Sequence, residues 1–172
     1  MKYSEPILYI FSGLPGTGKS TLAKIISKKL KAVYIRIDTI EQGIRDLCNF
    51  NVQGEGYRLA YKIVEDNLKI GNSVISDQCN PIKLTRKEWN DVAIKNNCKY
   101  INIEILCSNK EEQKNRIENR KTEIENLRLP TWEEITEREY ELWNEEHITI
   151  DTANKTIKEC TEELMGKINM KK

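Results

Sequence analysis

Segment 13–20 is the feature that most restricts how this chain can fold. It reads GLPGTGKS and matches the pattern G-x-x-x-x-G-K-[ST] in full. A short apolar run at 7–11 precedes it, and residues 18–30 follow with apolar side chains at helical spacing. A strand must therefore pass through a tight glycine turn directly into a helix, which is the first unit of an α/β fold.

Strand-like and helix-like segments alternate along the rest of the chain. Apolar or alternating runs predict further strands at 32–38, 73–77, 100–107 and 147–150. Helical spacing predicts helices at 39–47, 55–70, 83–97, 111–121, 131–144 and 157–168. A capping box, Thr131-x-x-Glu134, opens the helix at 131–144. Right-handed crossovers cover both faces of a parallel sheet, so we expect a three-layer α/β/α sandwich with the apolar first strand in its centre.

The composition is that of an ordinary globular domain. Of the 172 residues, 38% are hydrophobic and 32% are charged, with 28 Lys+Arg against 27 Asp+Glu. The net charge of +1 gives no sequence-wide argument for binding nucleic acid or an anionic membrane. Neither a repeat nor a linker-like tract divides the chain, so we expect one domain over residues 1–172.

The cysteine pattern and the lengths of the apolar runs bear on location. Five cysteines without a C-x-x-C pair, beside a single histidine, argue against a disulfide framework or a structural zinc site. The longest apolar runs are far shorter than the roughly 18 residues of a membrane span, and residues 1–4 begin no signal-peptide pattern. We therefore expect a cytoplasmic protein with reduced thiols, no membrane association and no stable protein partner.

Segment 13–20 contains the residue types that hold phosphate groups. Gly13, Gly16 and Gly18 let backbone N–H groups turn inward around phosphate oxygens, and the positive end of the following helix adds to the attraction. Lys19 reaches the outer phosphates, and Ser20 places its hydroxyl on Mg²⁺. Further nucleotide contacts are expected from Pro15, Thr17 and Thr21. The segment therefore predicts a bound nucleotide with Mg²⁺, and GTPases, ATPases and kinases all use such a loop.

The rest of the sequence argues against a regulatory GTPase. The D-x-x-G pattern is missing, because no glycine stands three residues after Asp38, Asp77 or Asp151. Segment 109–112 reads NKEE, which resembles the guanine-reading N-K-x-D but ends in a longer side chain, and Asn109 fits the entry to a helix better. A mechanical ATPase usually needs more chain than this. Kinases remain, beside nucleotide-binding regulatory modules.

The chain resembles the small P-loop kinases, which include polynucleotide 5′-hydroxyl kinases, zeta-toxin-like and chloramphenicol-phosphotransferase-like enzymes, with gluconate and shikimate kinases more distant. The resemblance rests on GLPGTGKST after the first strand, IRIDTI closing the second, VISDQCNP closing the third, and NRIENRK followed by LRLPTWEEI. It implies a P-loop NTPase fold with a five-stranded parallel sheet in the order 2-3-1-4-5. It also implies a short helical lid at about 109–131 and transfer of the γ-phosphate of ATP to a hydroxyl group.

Two aspartates are candidates for the transfer chemistry. Asp38 closes the predicted second strand, and its spacing to Glu41 also fits a helix N-cap. The resemblance implies instead that Asp38 binds and activates the acceptor hydroxyl. Asp77 ends the third strand, where it would hold Mg²⁺ directly or through water, or act as a turn residue before Pro81. The family pattern after this aspartate is one residue longer, which leaves the role of Asn80 open.

Three arginines in the expected lid are candidates for phosphate or base contacts. Arg116 and Arg120 are four residues apart on one predicted helix and so share a face, and Arg128 follows in a proline-closed segment. By resemblance, Arg120 would reach the phosphates as a catalytic residue and Arg116 would stack on adenine. The alternative is a solvated helix paired with Glu112 and Glu123. The sequence does not decide which arginine is the catalytic one.

The acceptor is a hydroxyl compound of undetermined type, either a small molecule, a nucleoside or a polynucleotide 5′-OH. Arg36, Arg45 and Arg58 are candidates to face it, and spacing does not choose among them. By resemblance, segment 151–153 forms the loop against adenine. Two alternatives stay open: a regulatory ATPase module that acts through a partner, and a nucleoside monophosphate kinase, whose acceptor is a phosphate.

Overall fold

The structure, a computed structural model, describes residues 5–171. Residues 1–4, for which the sequence predicts no signal peptide, lie outside the described range. The strands are β1 (Ile7–Ser12), β2 (Val33–Arg36), β3 (Val74–Asp77), β4 (Lys99–Leu106) and β5 (Ile148–Asp151). The helices are α1 (Lys19–Leu30), α2 (Ile37–Cys48), α3 (Glu55–Lys69), α4 (Lys83–Lys95), α5 (Lys110–Asn119), α6 (Trp132–Thr136) and α7 (Ile157–Lys171).

The five strands form one parallel sheet in the order β2-β3-β1-β4-β5. This confirms both the fold class and the strand order that the sequence predicts. Every residue of β1 is buried, because the strand lies between β3 and β4 and both of its faces are covered. A continuous apolar run is the composition that such a position requires. The segment after β1 consequently begins at the middle of the sheet.

Two apolar clusters cover the two faces of the sheet. Tyr9 and Phe11 point into one cluster, which is completed by α1 and α7. Leu8 and Ile10 point into the other, which α3 and α4 complete. Because side chains alternate along a strand, β1 contributes to both clusters. The three-layer arrangement therefore rests on this one strand.

Strand β2 ends earlier than the predicted strand at 32–38. Its last residue is Arg36, and both Ile37 and Asp38 lie in the first turn of α2. Alternation with Val33 and Ile35 placed Ile37 on the strand face. In the structure Ile37 is buried as a helical residue against the cluster of α3 and α4. One apolar residue at a strand-to-helix junction fits both periodicities, so pattern alone misplaces the boundary.

The helix predicted at 131–144 is mostly not helical. The capping box of Thr131 and Glu134 is present, but α6 ends at Thr136. Ile135 is buried as predicted, whereas Leu142, which helical spacing placed inward, is 82% exposed. Helical periodicity thus fails beyond the first turn of this segment.

A buried arginine accounts for the path of this segment. The Arg86 side chain lies in α4 and donates hydrogen bonds to the backbone carbonyls of Asn80, Pro81, Glu141 and Leu142. Its guanidinium also lies over the rings of Tyr140 and Trp143, at 5.1 Å and 4.1 Å from their centroids. A buried charge must be hydrogen-bonded, so residues 140–143 follow the guanidinium and not a helical ladder.

The five cysteines are all free thiols. Among residues 5–171, no helix is long and apolar enough to cross a membrane. The same part of the chain holds no group of three or more His, Cys, Asp and Glu side chains arranged to bind a metal ion.

Replacing Arg86 with methionine should destabilise the fold. The side chain is 1% exposed, and its loss leaves several backbone carbonyls without donors. We expect the free energy of unfolding to fall by at least about 2 kcal/mol in chemical denaturation. Lys87→Met is the matched control, because the exposed Lys87 side chain forms an ion pair with Asp91, and its effect should stay below about 0.5 kcal/mol. Equal effects of the two substitutions would contradict the role given to Arg86.

Candidate functional site

A cavity of about 870 Å³ opens at the carboxyl ends of the central strands. Segment 13–20 forms one wall, and the start of α2, the end of α5 and the residues after β5 form others. Residues 120–131 connect α5 to α6 and lie over the opening of the cavity. We call them the covering segment. In open α/β sheets this edge is where ligands bind, so the cavity is the candidate functional site.

The backbone of segment 13–20 requires glycine at two close approaches. At Gly13, where φ is 142°, an added Cβ would lie 2.2 Å from the carbonyl oxygen of Ile105. At Gly16, where φ is 81°, it would lie 2.6 Å from the Ile117 side chain. The helix that follows has no side-chain cap on its first turn. Its backbone N–H groups are thus available to an anion in the cavity.

Lys19 and Asp77 form a buried ion pair at the base of segment 13–20. The ammonium of Lys19 lies 2.6 Å from one carboxylate oxygen of Asp77, and the Tyr34 hydroxyl donates to the other at 2.6 Å. Burial by itself raises the pKa of Asp77, but the neighbouring Lys19, Tyr34 and Ser20 outweigh it, so the pKa is lowered. Burial and the adjacent Asp77 charge raise the pKa of Tyr34. Asp77 is therefore held as a carboxylate.

Ser20 and Asp77, the two residues predicted to hold Mg²⁺, lie next to each other. Ser20 lies close enough to the Asp77 carboxylate to contribute to its lowered pKa. A hydroxyl and a carboxylate oxygen are hard ligands of the kind that Mg²⁺ takes. Both oxygens of Asp77 already accept hydrogen bonds, from Lys19 and Tyr34, so a direct metal bond requires Lys19 to turn away. The donor set fits the ion, and a contact through water needs less rearrangement.

Arg116, predicted to stack on adenine, lines the cavity and is held by Thr152. Its guanidinium donates to the Thr152 hydroxyl at 2.8 Å, to the Thr152 carbonyl at 3.2 Å and to Glu112 at 2.5 Å. The Thr152 hydroxyl also lies 2.9 Å from the carbonyl oxygen of Thr17. Arg116 is thereby connected to segment 13–20. The pairing with Glu112 is the one that the alternative interpretation predicts, and a role at adenine stays a prediction.

Helix α5 packs against segment 13–20, and the sequence analysis did not predict this contact. The buried Gln113 donates to the carbonyl of Pro15 at 2.9 Å, one helical turn before Ile117, which contacts Gly16. Asn109 caps this helix, as expected, because its side-chain oxygen accepts a hydrogen bond from the backbone N–H of Glu112. The spacing of Gln113 and Ile117 on one helix face was the available signal for this contact.

Arg120 lies beyond the end of α5, so the predicted shared helix face with Arg116 is wrong. Arg120 has φ −76° and ψ 147°, an extended conformation, because the helix ends at Asn119. Both arginines nevertheless line the cavity. Among residues 5–171 the buried Nε of Arg120 has no hydrogen-bond partner. Burial lowers the pKa of Arg120, and the Asp38 carboxylate opposes that shift.

Asp38 lines the cavity from the first turn of α2. The N-cap of this helix is Arg36 and not Asp38, so the interpretation of Asp38 as a capping residue is wrong. Its side chain is half exposed, and one carboxylate oxygen lies 3.4 Å from the Arg36 guanidinium. Asp38 is thus available to a molecule in the cavity.

Asn80 connects the end of β3 to the base of segment 13–20. Its side-chain amide donates to the Ser12 hydroxyl at 3.0 Å, and its carbonyl accepts from Arg86. Its backbone φ is 52°, and the adjacent carbonyl of Cys79 accepts from the Gly13 N–H at 3.0 Å. Asn80 therefore fixes the start of the glycine turn.

Polar contacts at the rim hold the covering segment over the cavity. Glu123 pairs with Lys24 of α1, and its carboxylate lies 3.8 Å from Arg36. The Asn126 side-chain amide lies 3.4 Å from an Asp46 carboxylate oxygen in α2. Arg128, the third candidate arginine, is largely exposed and pairs with Glu134 at 2.6 Å.

Residues 8–142 match the family described as AAA domain. The chain belongs to this family. Among solved structures, the chain resembles a gluconokinase from Sinorhizobium meliloti, with 14% identity and a TM-score of 0.67 over 94% of this chain and 91% of that one. The Mycobacterium tuberculosis APS kinase CysC, in complex with AMPPNP and APS, has 15% identity and a TM-score of 0.70 over 96% and 98%.

Kti12 from Chaetomium thermophilum, in complex with ADP-AlF3, has 21% identity to this chain and a TM-score of 0.69 over 94% of this chain and 96% of that one. A comparison with curated proteins gave no match. The resemblance to small P-loop kinases is confirmed at the level of the family and the fold. Identities this low establish a shared fold and not a shared substrate.

The buried Asp77 carboxylate should make stability depend on pH. The pKa of Asp77 in the folded chain is below the ordinary value of about 4. The ionised carboxylate therefore stabilises the fold above that pH, and this stabilisation is lost as the pH falls through the lowered pKa. We expect the difference in unfolding free energy between wild type and Asp77→Asn to be largest near neutral pH and to shrink below about pH 4. Urea titrations across this range measure it. A difference that grows on acidification would contradict the ion pair.

Proposed function

We propose that the chain is a kinase that transfers the γ-phosphoryl group of Mg·ATP to a hydroxyl group. One observation carries the proposal: segment 13–20, Asp38 and Arg120 line the same cavity. This combination provides a phosphate cradle, a carboxylate for the acceptor hydroxyl and an arginine for the transferred group. A module that only bound nucleotide would need neither the carboxylate for the acceptor hydroxyl nor the arginine for the transferred group.

The nucleotide would occupy the cavity with its phosphates in segment 13–20. Backbone N–H groups of the turn and the first turn of α1 would donate to the phosphate oxygens. Lys19 would turn from Asp77 to the outer phosphates. Mg²⁺, held by Ser20 and by Asp77 directly or through water, would supply positive charge at the phosphates. Arg116 and Thr152 border the part of the cavity where the base would lie.

The transfer step needs a proton acceptor and charge neutralisation. Asp38 would accept the hydroxyl proton as the acceptor oxygen bonds to the γ-phosphorus and the bond from that phosphorus to the β,γ-bridging oxygen breaks, which releases ADP. Lys19 and Arg120 would neutralise the charge on the transferred group. The covering segment would exclude water, which otherwise competes as acceptor.

The comparisons and the free thiols support the wider proposal. The APS kinase and Kti12 structures, which hold nucleotide or nucleotide analogues, share this fold over nearly their full lengths. We extend the proposal to one kinase domain over residues 1–172, with the lid at 109–131. Five free thiols support a reducing compartment such as the cytoplasm.

Replacing Lys19 with alanine should abolish turnover while the fold persists. The wild type should consume labelled ATP well above its basal rate when a suitable hydroxyl compound is added, and Lys19→Ala should lose at least about 10²-fold of that rate. Circular dichroism of the variant checks folding. If no hydroxyl compound stimulates consumption, a regulatory ATPase module is favoured, and stimulation by nucleoside monophosphates alone, with label on their phosphate, favours a nucleoside monophosphate kinase.

Replacing Asp38 with asparagine should separate binding from transfer. Asparagine keeps the shape but cannot take the hydroxyl proton, so we expect ATP affinity by calorimetry to stay within about 3-fold and transfer to fall by about 10²- to 10⁴-fold. Asp66→Asn, an exposed position on α3 outside the cavity, is the matched control and should leave both unchanged. Undiminished transfer by Asp38→Asn would remove Asp38 from the reaction.

A further inference from the structure

A second cavity, of about 470 Å³, lies at the amino end of the sheet, opposite the candidate functional site. Strand β4 starts at Lys99, but its pairing with β5 begins only with Ile103 and Ile148. Residues 99–102 therefore precede the paired part of β4, and the cavity lies beside them. Helix α4, the residues before β5 and the end of α7 form its other walls. Within the described part of the chain the two cavities share no lining residue.

Two buried asparagines from different elements line this second cavity. Asn90 of α4 is 9% exposed, and Asn102 of β4 is 3% exposed. Among residues 5–171 the buried side-chain oxygen of each has no hydrogen-bond partner. A buried acceptor without a donor costs free energy, and most such atoms in folded proteins are paired. The packing of the chain therefore does not account for these two oxygens.

The two amides approach the cavity from a helix and from a strand. Ile101 and Ile103 are buried in the cluster of α1 and α7, so Asn102, which alternates with them, points to the opposite face of the sheet. Helix α4, which carries Asn90, packs on that face. A half-turn about the last side-chain bond exchanges the oxygen and the nitrogen of an asparagine without moving the backbone. Either side chain can thus present its oxygen to a bound molecule.

The charge around the opening of this cavity is negative. Glu145 and Glu146 are exposed and line it, and its one lining cation among residues 5–171, Lys171, pairs with Glu146 at 2.5 Å. Two carboxylates against one ammonium leave a net charge of −1 on the described lining residues. The exposed Tyr100 adds an aromatic ring, a group whose face attracts organic cations. The cavity therefore favours a positively charged hydrogen-bond donor.

We propose that this second cavity binds a small organic cation through a guanidinium or ammonium group. The N–H groups of the cation would donate to the side-chain oxygens of Asn90 and Asn102, and Glu145 would offset its charge. The cavity has the volume of a site for an organic molecule, and residues 5–171 hold no group of three or more His, Cys, Asp and Glu side chains that suits a metal ion. The site is separate from the cavity proposed for phosphoryl transfer, so either assignment can fail without the other.

Four probes of similar length separate the effect of charge from that of the alkyl chain. Butylguanidinium, butylammonium, butyrate and butanol are each titrated into the isotope-labelled full chain, and NMR follows the side-chain amide resonances of Asn90 and Asn102. We expect one or both cations to shift these resonances with a Kd of about 1 mM or below. Butyrate and butanol should bind at least about 10-fold more weakly.

A short peptide with one arginine distinguishes two sources of the cation. A free amine and an arginine side chain of another protein carry the same kind of group. Tighter binding of the peptide than of butylguanidinium would support a protein side chain as the natural ligand, and weaker binding would support a free small molecule. Both results are consistent with the proposed chemistry of the site.

Replacing Asn102 with leucine should remove the binding. Leucine has a similar volume and no oxygen, so butylguanidinium should bind at least about 10-fold more weakly, while the melting temperature should not fall because an unpaired polar atom is lost. Asn115→Leu is the matched control, since Asn115 is exposed on α5 and lines neither cavity, and it should preserve binding. Glu145→Gln changes only an exposed side chain and should weaken cation binding by about 2- to 5-fold, which keeps the test available if Asn102→Leu does not fold.

Several results would overturn the inference. Equal binding of butanol and the cations would show an apolar groove without charge preference, and tighter binding of butyrate would reverse the preference. Failure of all probes to bind would remove the site, as would cation binding that Asn102→Leu and Glu145→Gln both leave unchanged. None of these results bears on the kinase proposal, because no phosphoryl transfer is measured.

Discussion

The ion pair between Lys19 and Asp77 is the interaction on which the site depends. Asp77 ends β3 and is 1% exposed, so its charge is tolerable only with close partners. Lys19 supplies a positive charge from the first residue of α1, and Tyr34 supplies a hydrogen bond from β2. Through these contacts one carboxylate joins the ends of β2 and β3 to segment 13–20. The glycine turn is thereby connected to two strands of the sheet.

The same ion pair implies that binding of a nucleotide would replace the Lys19 ammonium beside Asp77 with another cation. Lys19 is both the partner of Asp77 and the residue expected to reach the phosphates. If its ammonium moves to a nucleotide, the Asp77 carboxylate stays buried and needs a replacement charge nearby. The adjacent Ser20 hydroxyl completes a pair of oxygen ligands that suits Mg²⁺. Nucleotide and metal are therefore expected to bind cooperatively, since each relieves a cost that the other creates.

Local signals predicted much of the fold, and contacts between distant segments were missed. The apolar β1, the glycine turn and the Thr131 capping box depend on neighbouring residues, so the sequence displays them directly. The packing of Arg86 against residues 140–143 joins segments more than fifty residues apart, and Arg86 itself looks like any charged residue on a helix. The strand order came from the resemblance to P-loop kinases and not from pattern. At the site, the residues of segment 13–20 were identifiable from their spacing. The Thr152 contacts, and the Arg36 donor that has no partner among residues 5–171, exist only once the chain is folded.

The way the covering segment is attached sets where the chain can open. Its polar contacts with α1, β2 and α2 run through side chains at the rim, and none of them is a backbone ladder. Ion pairs of this kind contribute little free energy and are screened by salt, whereas β1 is buried on both faces. Opening of this stretch therefore requires far less energy than unfolding of the sheet. A protease added to the native protein should cut there first, more slowly once the cavity is filled.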